Sequence, residues 1–497
     1  MAGYHVENFG CRANHADGDA IAAAIHAAQG EAASGTTDAD VVIVNTCSVT
    51  AQAEQTARAF LRRVRRSNPH ARLVVTGCYA QRAPQGVAAL PGVSAVIGNS
   101  HKALVAVTAL GLGSAGGTGQ PDLVSSGFVS PDFVPIAALL GEQAPSVLVD
   151  SLFAHADLAA TDLLHSPVLH SPVPHSPRFD STGTRPNLKV QDGCDNRCSF
   201  CIIPATRGHS RSLPLSSVLD RVHQFVDDGG QELVLSGINL GRWGRDVNPA
   251  VPFEHLIAAI LEQTQLPRLR LSSIEPMDWS ALLLDLYRTY AMEDAAPTGP
   301  RLARHAHLPL QSGCDRTLRA MHRRYRPWHY EEKILAIRAA MPDAAIGADV
   351  MAGYPGETDS HFEESYRFIE RLPFTYLHLF PFSARPGTPG WDLHRQAPVP
   401  SRVVKERLAR LQALIANKAR AHRAVFIGRT LPVITLKTPP EEAKRGSTRA
   451  ISDNFLPIEL EHEPDWIIPA NRMLCAHITS CKDGSLRGSP SAIPFGA

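Results

Sequence analysis

Three strand-like runs in the N-terminal part of the chain each stop at a cysteine. "YHVENF" leads into Gly10-Cys11, "ADVVIVNT" into Cys47 and "ARLVVTG" into Cys78. Between them, "ADGDAIAAAIHAAQ" and "TAQAEQTARAFLRRVRR" carry helical spacing. Strand, helix, strand, helix, strand predicts a parallel, doubly wound sheet. Strand C-termini in such a sheet share one edge, where ligands bind. Three cysteines distant in sequence are therefore expected at one rim.

A second cysteine pattern is local. "VQDGCDNRCSFCIIPATRG" sets Cys194, Cys198 and Cys201 in a C-x-x-x-C-x-x-C spacing after a strand-like run. A structural zinc site wants four protein ligands, and only His209 stands near enough to complete one. Thiolates commonly hold iron–sulfur clusters, and three of them leave one iron of a cubane free. A free iron can chelate the amino and carboxylate groups of S-adenosylmethionine, and one electron then yields a 5′-deoxyadenosyl radical. In this spacing the region resembles the radical S-adenosylmethionine superfamily. Strand-like runs recur downstream between helical segments: "LKVQDG", "ELVLSGI", "RLRLSSIE", "HAHLPLQSG", "AIGADVMAGYPGE" and "YLHLFPFS". Six strand–helix units predict a partial parallel barrel with its site at the strand C-termini. There the sequence offers Gly237, Ser273, Glu275, His307, Gln311 and Asp349, the candidates for an S-adenosylmethionine pocket being Gly237, Ser273, Glu275, Gln311 and Asp349.

Composition excludes some classes. The chain of 497 residues is 44% hydrophobic and 20% charged, with a formal net charge of +1. Any nucleic-acid contact must therefore come from local patches. No apolar run spans a bilayer, and the N-terminus lacks a signal peptide's regions, so a cytoplasmic, membrane-free protein is expected. In that compartment nine cysteines read as ligands or buried thiols. Basic candidates are Arg58, Arg62, Arg65 and Arg66 at helical spacing, "HRRYRPW" from His322 to Trp328, and Lys437, Lys444, Arg445 and Arg449. His165, His170 and His175, in three His-Ser-Pro repeats, read as a proline-punctuated linker rather than a metal tract.

Taken together, "GCRAN", "NTCSVTAQAE", "TGCYAQ", "QDGCDNRCSFCIIPATRG", "LSGINLGRWG", "SSIEP", "LPLQSGCDRTLRAMHRRY", "GYPGET" and "FSARPGTP" resemble the radical S-adenosylmethionine methylthiotransferase family. The resemblance implies one [4Fe–4S] cluster on Cys11, Cys47 and Cys78, and a second, which binds S-adenosylmethionine, on Cys194, Cys198 and Cys201. It also implies a small C-terminal RNA-binding TRAM-like barrel, tRNA as partner through its anticodon loop, and an electron donor such as flavodoxin or ferredoxin. Within the family the motifs look most like the MtaB-type branch, which methylthiolates C2 of N6-threonylcarbamoyladenosine at tRNA position 37. N6-isopentenyladenosine at that position, or a ribosomal-protein aspartate, are the alternative substrates. A non-catalytic, metal-stabilised RNA-binding protein is the alternative of another class.

The expected fold is thus α/β: an N-terminal doubly wound parallel sheet, a central partial (β/α)6 barrel and a small all-β barrel. The expected boundaries are 1–102 for the sheet, 103–185 for an insert, 186–416 for the radical domain, 417–482 for the small barrel and 483–497 for a disordered tail. The family usually has serine where Cys314 stands, so Cys314 is read as a packing residue rather than a ligand, and Cys475 and Cys481, with no partner spacing, are assigned no metal.

Overall fold

A computed structural model describes residues 3–111, 145–150, 152, 184–292, 299–464, 466–482 and 484–491. The chain divides into two compact units. One holds residues 1–178, 192–196 and 201–211, the other 179–191, 197–200 and 212–497. His165, His170 and His175 lie outside the described residues.

The first unit is built on β1 (Gly3–Asn8), β2 (Glu31–Ala32), β3 (Val41–Thr46), β4 (Arg72–Gly77), β5 (Val93–Ile97) and β6 (Ser146–Leu148), in the order β2-β1-β3-β4-β5-β6. Every pairing is parallel. β3 is buried along its whole length, which is why "VVIVNT" reads as a continuous apolar run rather than an alternating one. Its side chains feed two cores. Val42 and Val44 pack with Phe60, Leu61 and Val64 of α2 (Ala51–Ser67), whereas Val41 and Ile43 pack with Ile21 and Ile25 of α1 (Arg12–Ala27). Helices on both faces are what doubly wound means. The apolar stripe of α2 follows the helical period, and the Thr50 side chain caps its start by accepting from the Ala53 amide at 3.1 Å.

The sheet runs past the expected boundary at 102. Helix Val105–Leu110 and strand β6 both belong to it, although they fall in the stretch expected to be an insert. A three-residue strand carries too little pattern to be seen in sequence.

In the second unit all six expected barrel strands are present: β7 (Asn187–Asp192), β9 (Glu232–Gly237), β10 (Arg268–Leu271), β11 (His305–His307), β12 (Ala345–Ala352) and β13 (Tyr376–Pro381). A short edge strand, β8 (Arg211–Ser212), joins the first three in the order β10-β9-β7-β8, and β11-β12-β13 form a second sheet. One isolated parallel bridge, Leu269 to Leu302, joins β10 to the segment just before β11. Helix Ser401–Ala424 packs on β13 and runs through the boundary expected at 416.

The small domain is a closed barrel of β14 (Thr430–Thr435), β15 (Ser447–Ser452), β16 (Pro457–Glu461), β17 (Met473–Lys482) and β18 (Ser485–Ser491). The expectation of a disordered tail from 483 is therefore wrong for Ser485–Ser491, which pairs with both β16 and β17. Only Leu486 of that strand enters the barrel core, so its sequence reads as polar. The turn after β15 reaches the partial barrel. Asp453 meets Arg304 at 2.6 Å, the Ser452 carbonyl accepts from Arg270 at 3.1 Å, and the Phe455 ring stands 4.6 Å from that of His305. Among the described residues no helix is long and apolar enough to cross a membrane.

Candidate active site

Cys11, Cys47 and Cys78 follow the C-termini of β1, β3 and β4, three adjacent parallel strands, as strand polarity requires. Gly10 has φ +104°, and a Cβ on it would stand 2.5 Å from Cys47 Cβ and 2.6 Å from its Sγ. The Cys11 loop thus lies directly against Cys47. Asn14, on the first turn of α1, donates to the Phe9 carbonyl at 2.8 Å and the Thr46 carbonyl at 2.9 Å, tying the first two strand ends together. Asn99 donates to Cys78 Sγ at 3.6 Å.

Behind the thiols lies a buried charge cluster. Arg207 reaches Asp192 and Asp17 at 2.9 Å each and also donates to Asn14, while Lys102 meets Asp17 at 2.5 Å. All four charged side chains are at most 1% exposed. Two cations and two anions cancel. Burial alone would depress the Arg207 guanidinium, but Asp192, Cys78, Asp17 and Cys11 outweigh it and hold the group charged. The Cys47 thiol is pushed up to about 12, first by burial and then by Cys78, with Arg207 opposing. As thiolates the sulfurs repel one another, which is why Cys78 and Cys11 both push the Cys47 thiol up, and a bound cation relieves that repulsion. The donor set, soft thiols with a permanent cation behind them, fits an iron–sulfur cluster.

In the second cysteine loop, Gly193 has φ +72°, and a Cβ there would overlap the His209 carbonyl. The Cys194 amide donates to the Gly208 carbonyl at 3.0 Å. Arg323 donates to Cys198 Sγ at 3.2 Å and to Glu275 at 2.5 Å, and Tyr325 lies under its guanidinium. Ser199 is strapped to the Ala320 carbonyl at 2.9 Å and to the Tyr354 hydroxyl at 2.8 Å. Phe382, in "FPFSARPGT", packs edge-on against Tyr354. His209, 69% exposed, is engaged with Asp195 at 2.6 Å.

The candidates at the barrel strand ends separate into groups. Gly237 sits where a Cβ would come within 3.0 Å of Gln191 Oε1, and that oxygen accepts from the Asn239 amide at 2.7 Å. Glu275 belongs with Arg323 and Cys198. Gln311, at φ +64°, is fixed through its backbone to Asp349 and Met351. Ser273 and Asp349 are joined through His307, at 2.9 Å and 3.6 Å.

Sequence reasoning missed Asn14, Asp17 and Arg207, and it misplaced Arg323. In "HRRYRPW", Arg323 and Tyr325 are buried and only His322, Arg324 and Trp328 are exposed. That stretch serves first to hold Cys198 and to start helix Pro327–Ala340. Cys314 is fully buried beside Ser312 and packs as expected. Arg58, Arg62, Arg65 and Arg66 are exposed, as are Lys437, Lys444, Arg445 and Arg449. Arg449 is paired with Glu442 at 2.5 Å.

Residues 3–98 match the model of "Uncharacterized protein family UPF0004" and residues 188–369 that of the Radical SAM superfamily. The chain is 29% identical over 468 residues to the threonylcarbamoyladenosine tRNA methylthiotransferase MtaB of Bacillus subtilis (strain 168), covering 94% of this chain and 92% of the relative. It is 30% identical over 459 residues to the MtaB of Aquifex aeolicus (strain VF5), covering 92% and 96%. It is also 31% identical over 442 residues to the tRNA-2-methylthio-N(6)-dimethylallyladenosine synthase of Thermobifida fusca (strain YX), covering 87% and 77%. Among solved structures, the radical S-adenosylmethionine methyltransferase TsrM of Kitasatospora setae shares the fold, with a TM-score of 0.54 and 15% identity over 80% of this chain and 76% of that one. The chain belongs to the radical S-adenosylmethionine tRNA methylthiotransferases, transferases that use S-adenosylmethionine and a [4Fe–4S] cluster.

Proposed function

We propose that the protein adds a methylthio group to C2 of N6-threonylcarbamoyladenosine at position 37 of tRNA. The observation that carries this reading is the placing of Cys11, Cys47 and Cys78 at three adjacent strand ends over a buried arginine. In this reading the three cysteines hold a second cluster in addition to that of the radical domain, and sulfur insertion needs more than a radical source. The threonylcarbamoyl substrate follows the names of the relatives in Bacillus and Aquifex. The relative in Thermobifida, named for the dimethylallyl nucleoside, makes N6-isopentenyladenosine the second reading.

In this reading Cys194, Cys198 and Cys201 hold the cluster that binds S-adenosylmethionine, and Cys11, Cys47 and Cys78 hold the other. Together the two clusters and S-adenosylmethionine supply the electron, the radical, the methyl group and the sulfur. Adenine C2 bears no leaving group and no acidic hydrogen, so side-chain acid–base chemistry alone does not reach it. The chain's own residues position and shield. Arg323 sets positive charge against Cys198 and orients Glu275. Arg207 balances the sulfurs of the first unit. Gly237, Glu275 and Gln311 line the S-adenosylmethionine pocket, Gly237 letting backbone approach closely.

The C-terminal barrel acts as a TRAM-like RNA grip through Lys437, Lys444 and Arg445, with Arg58, Arg62, Arg65 and Arg66 as a second basic surface. Position 37 lies in a single-stranded loop, so its base can leave the stack at modest cost. A flavodoxin or ferredoxin in the cytoplasm supplies the electrons.

Nucleoside mass spectrometry tests this on tRNA from a host lacking its own methylthiotransferases, with and without the protein. A methylthio gain on threonylcarbamoyladenosine that disappears in Cys198→Ala is the expected result. A gain on isopentenyladenosine alone would overturn the substrate assignment and keep the chemistry.

A further inference from the structure

One face of the sheet β11-β12-β13 carries a polar group that the cluster sites do not use. The register sets His307 beside Gly347, Gly347 beside Tyr376 and Asp349 beside His378. Side chains alternate along a strand, so His305, His307, Asp349, Tyr376 and His378 share that face. A Cβ on Gly347 would overlap the Tyr376 ring. The glycine therefore gives Tyr376 room to lie flat beside His307, with centroids 5.9 Å apart and planes 23° apart. His305 steadies the same tyrosine through its hydroxyl at 2.6 Å.

Three ligand atoms converge here. His307 Nε2 stands 3.6 Å from Asp349 Oδ1, His378 Nδ1 stands 3.2 Å from the same oxygen, and all three lie within 4.8 Å of one another. Ligand bonds of about 2.1 Å place neighbouring donors about 3–3.5 Å apart around one ion. The arrangement therefore needs little adjustment to close on a cation. A plain His307–Asp349 hydrogen bond would be shorter than 3.6 Å. His307 is also oriented for the task. Its Nδ1 is engaged by Ser273 Oγ at 2.9 Å, which turns Nε2 toward Asp349. A polar partner on the far nitrogen is the usual support of a metal-bound imidazole.

We propose that His307, Asp349 and His378 form a divalent transition-metal site separate from both cysteine sites. Two imidazoles and one carboxylate suit Mn(II), Fe(II), Co(II) or Zn(II). His307 is buried, and His378 is 62% exposed. Three protein ligands on one side leave the ion's other positions to water or to an oxygen ligand from a substrate. Ser273 and Asp349 then act as metal support and metal ligand rather than as walls of the S-adenosylmethionine pocket.

The test is Mn(II) binding to the cluster-loaded protein without RNA, followed by loss of the free-ion electron paramagnetic resonance signal. Mn(II) prefers oxygen and nitrogen donors and leaves thiolates alone. The expected result is about one ion per chain, bound at least tenfold more weakly in His378→Ala and in Asp349→Asn, and about tenfold more weakly in Ser273→Ala. His378 is exposed, so its alanine variant should keep the fold, and unchanged cluster absorbance checks this. No saturable binding in the parent protein would overturn the proposal. So would binding that is the same in all three variants. Because RNA and turnover are absent, failure here leaves the methylthiotransferase reading intact, and failure of that reading leaves this site intact.

Discussion

The two cysteine triads are assembled in opposite ways. Cys194, Cys198 and Cys201 come from one loop, and their spacing is fixed by the covalent chain. Cys11, Cys47 and Cys78 come from three strands, and their spacing exists only while β1, β3 and β4 stand in register. Each has a buried arginine nearby, used differently. Arg323 donates directly to Cys198 Sγ, whereas Arg207 spends its hydrogen bonds on Asp17, Asp192 and Asn14 and acts on the sulfurs through charge alone. The local triad relies on a contact and the dispersed one on the fold.

Under the proposed function, removing one cysteine from each triad should break product formation completely while separating the half-reactions. Cys198→Ala and Cys47→Ala should each lower iron from roughly eight to roughly four per chain. Only Cys198→Ala should also abolish reductive cleavage of S-adenosylmethionine to 5′-deoxyadenosine, read by chromatography. If Cys47→Ala abolished that cleavage as well, the triads would not be independent.

The next largest effect concerns the fold. Arg207→Ala leaves Asp17 and Asp192 buried, with Lys102 as the cation facing Asp17. Breaking a buried pair in this way costs about 3–5 kcal/mol, to be measured by denaturant unfolding of the metal-free protein. Arg323→Ala should be milder, because Glu275 is less deeply buried. Comparable losses would show that both triads lean equally on their arginines.

Alkaline titration sharpens the same contrast. In the metal-free protein the Cys47 thiol is pushed up to about 12, first by burial. The folded chain therefore holds this proton more tightly than the unfolded chain does. Its contribution to stability is complete below about pH 9 and is lost as pH climbs toward 12. Unfolding midpoints should fall across that window in the parent and fall less in Cys47→Ala. An equal fall in both would remove Cys47 as the cause.

How much of this was readable before the structure follows from the same contrast. The rim of cysteines was legible because strand polarity is a rule about order, and "VVIVNT" and "RLVVTG" are apolar enough to declare themselves. The six barrel strands were legible for the same reason. The supporting charges were not. Arg207 and Lys102 look like surface residues in a list, and only tertiary packing buries them against Asp17. Arg323 was visible but assigned outward, since arginine beside tyrosine serves RNA and a buried ion pair equally well. His378 needed its register opposite Asp349. Strand β18 was hidden because it gives the core only one leucine.

The smallest change tests whether the dispersed triad depends on backbone as well as charge. Gly10→Ala places a Cβ 2.5 Å from Cys47 Cβ on a backbone at φ +104°, where a side chain costs about 1–3 kcal/mol. The nearest obstacle is Cys47 Cβ, which its own backbone fixes, so the Cys11 and Cys47 loops must shift apart at the strand ends while the strands themselves stay paired. The expected outcome is a modest loss of stability with partial loss of iron from the first site, measured as iron per chain beside the unfolding midpoint. Iron should fall more steeply than stability, because loops shifted apart move the Cys47 sulfur out of ligand position while the core of β3 stays packed. Equal falls would mean that Gly10 supports the sheet itself, and the triad would then be a passenger on the fold rather than a geometry held by its own loop.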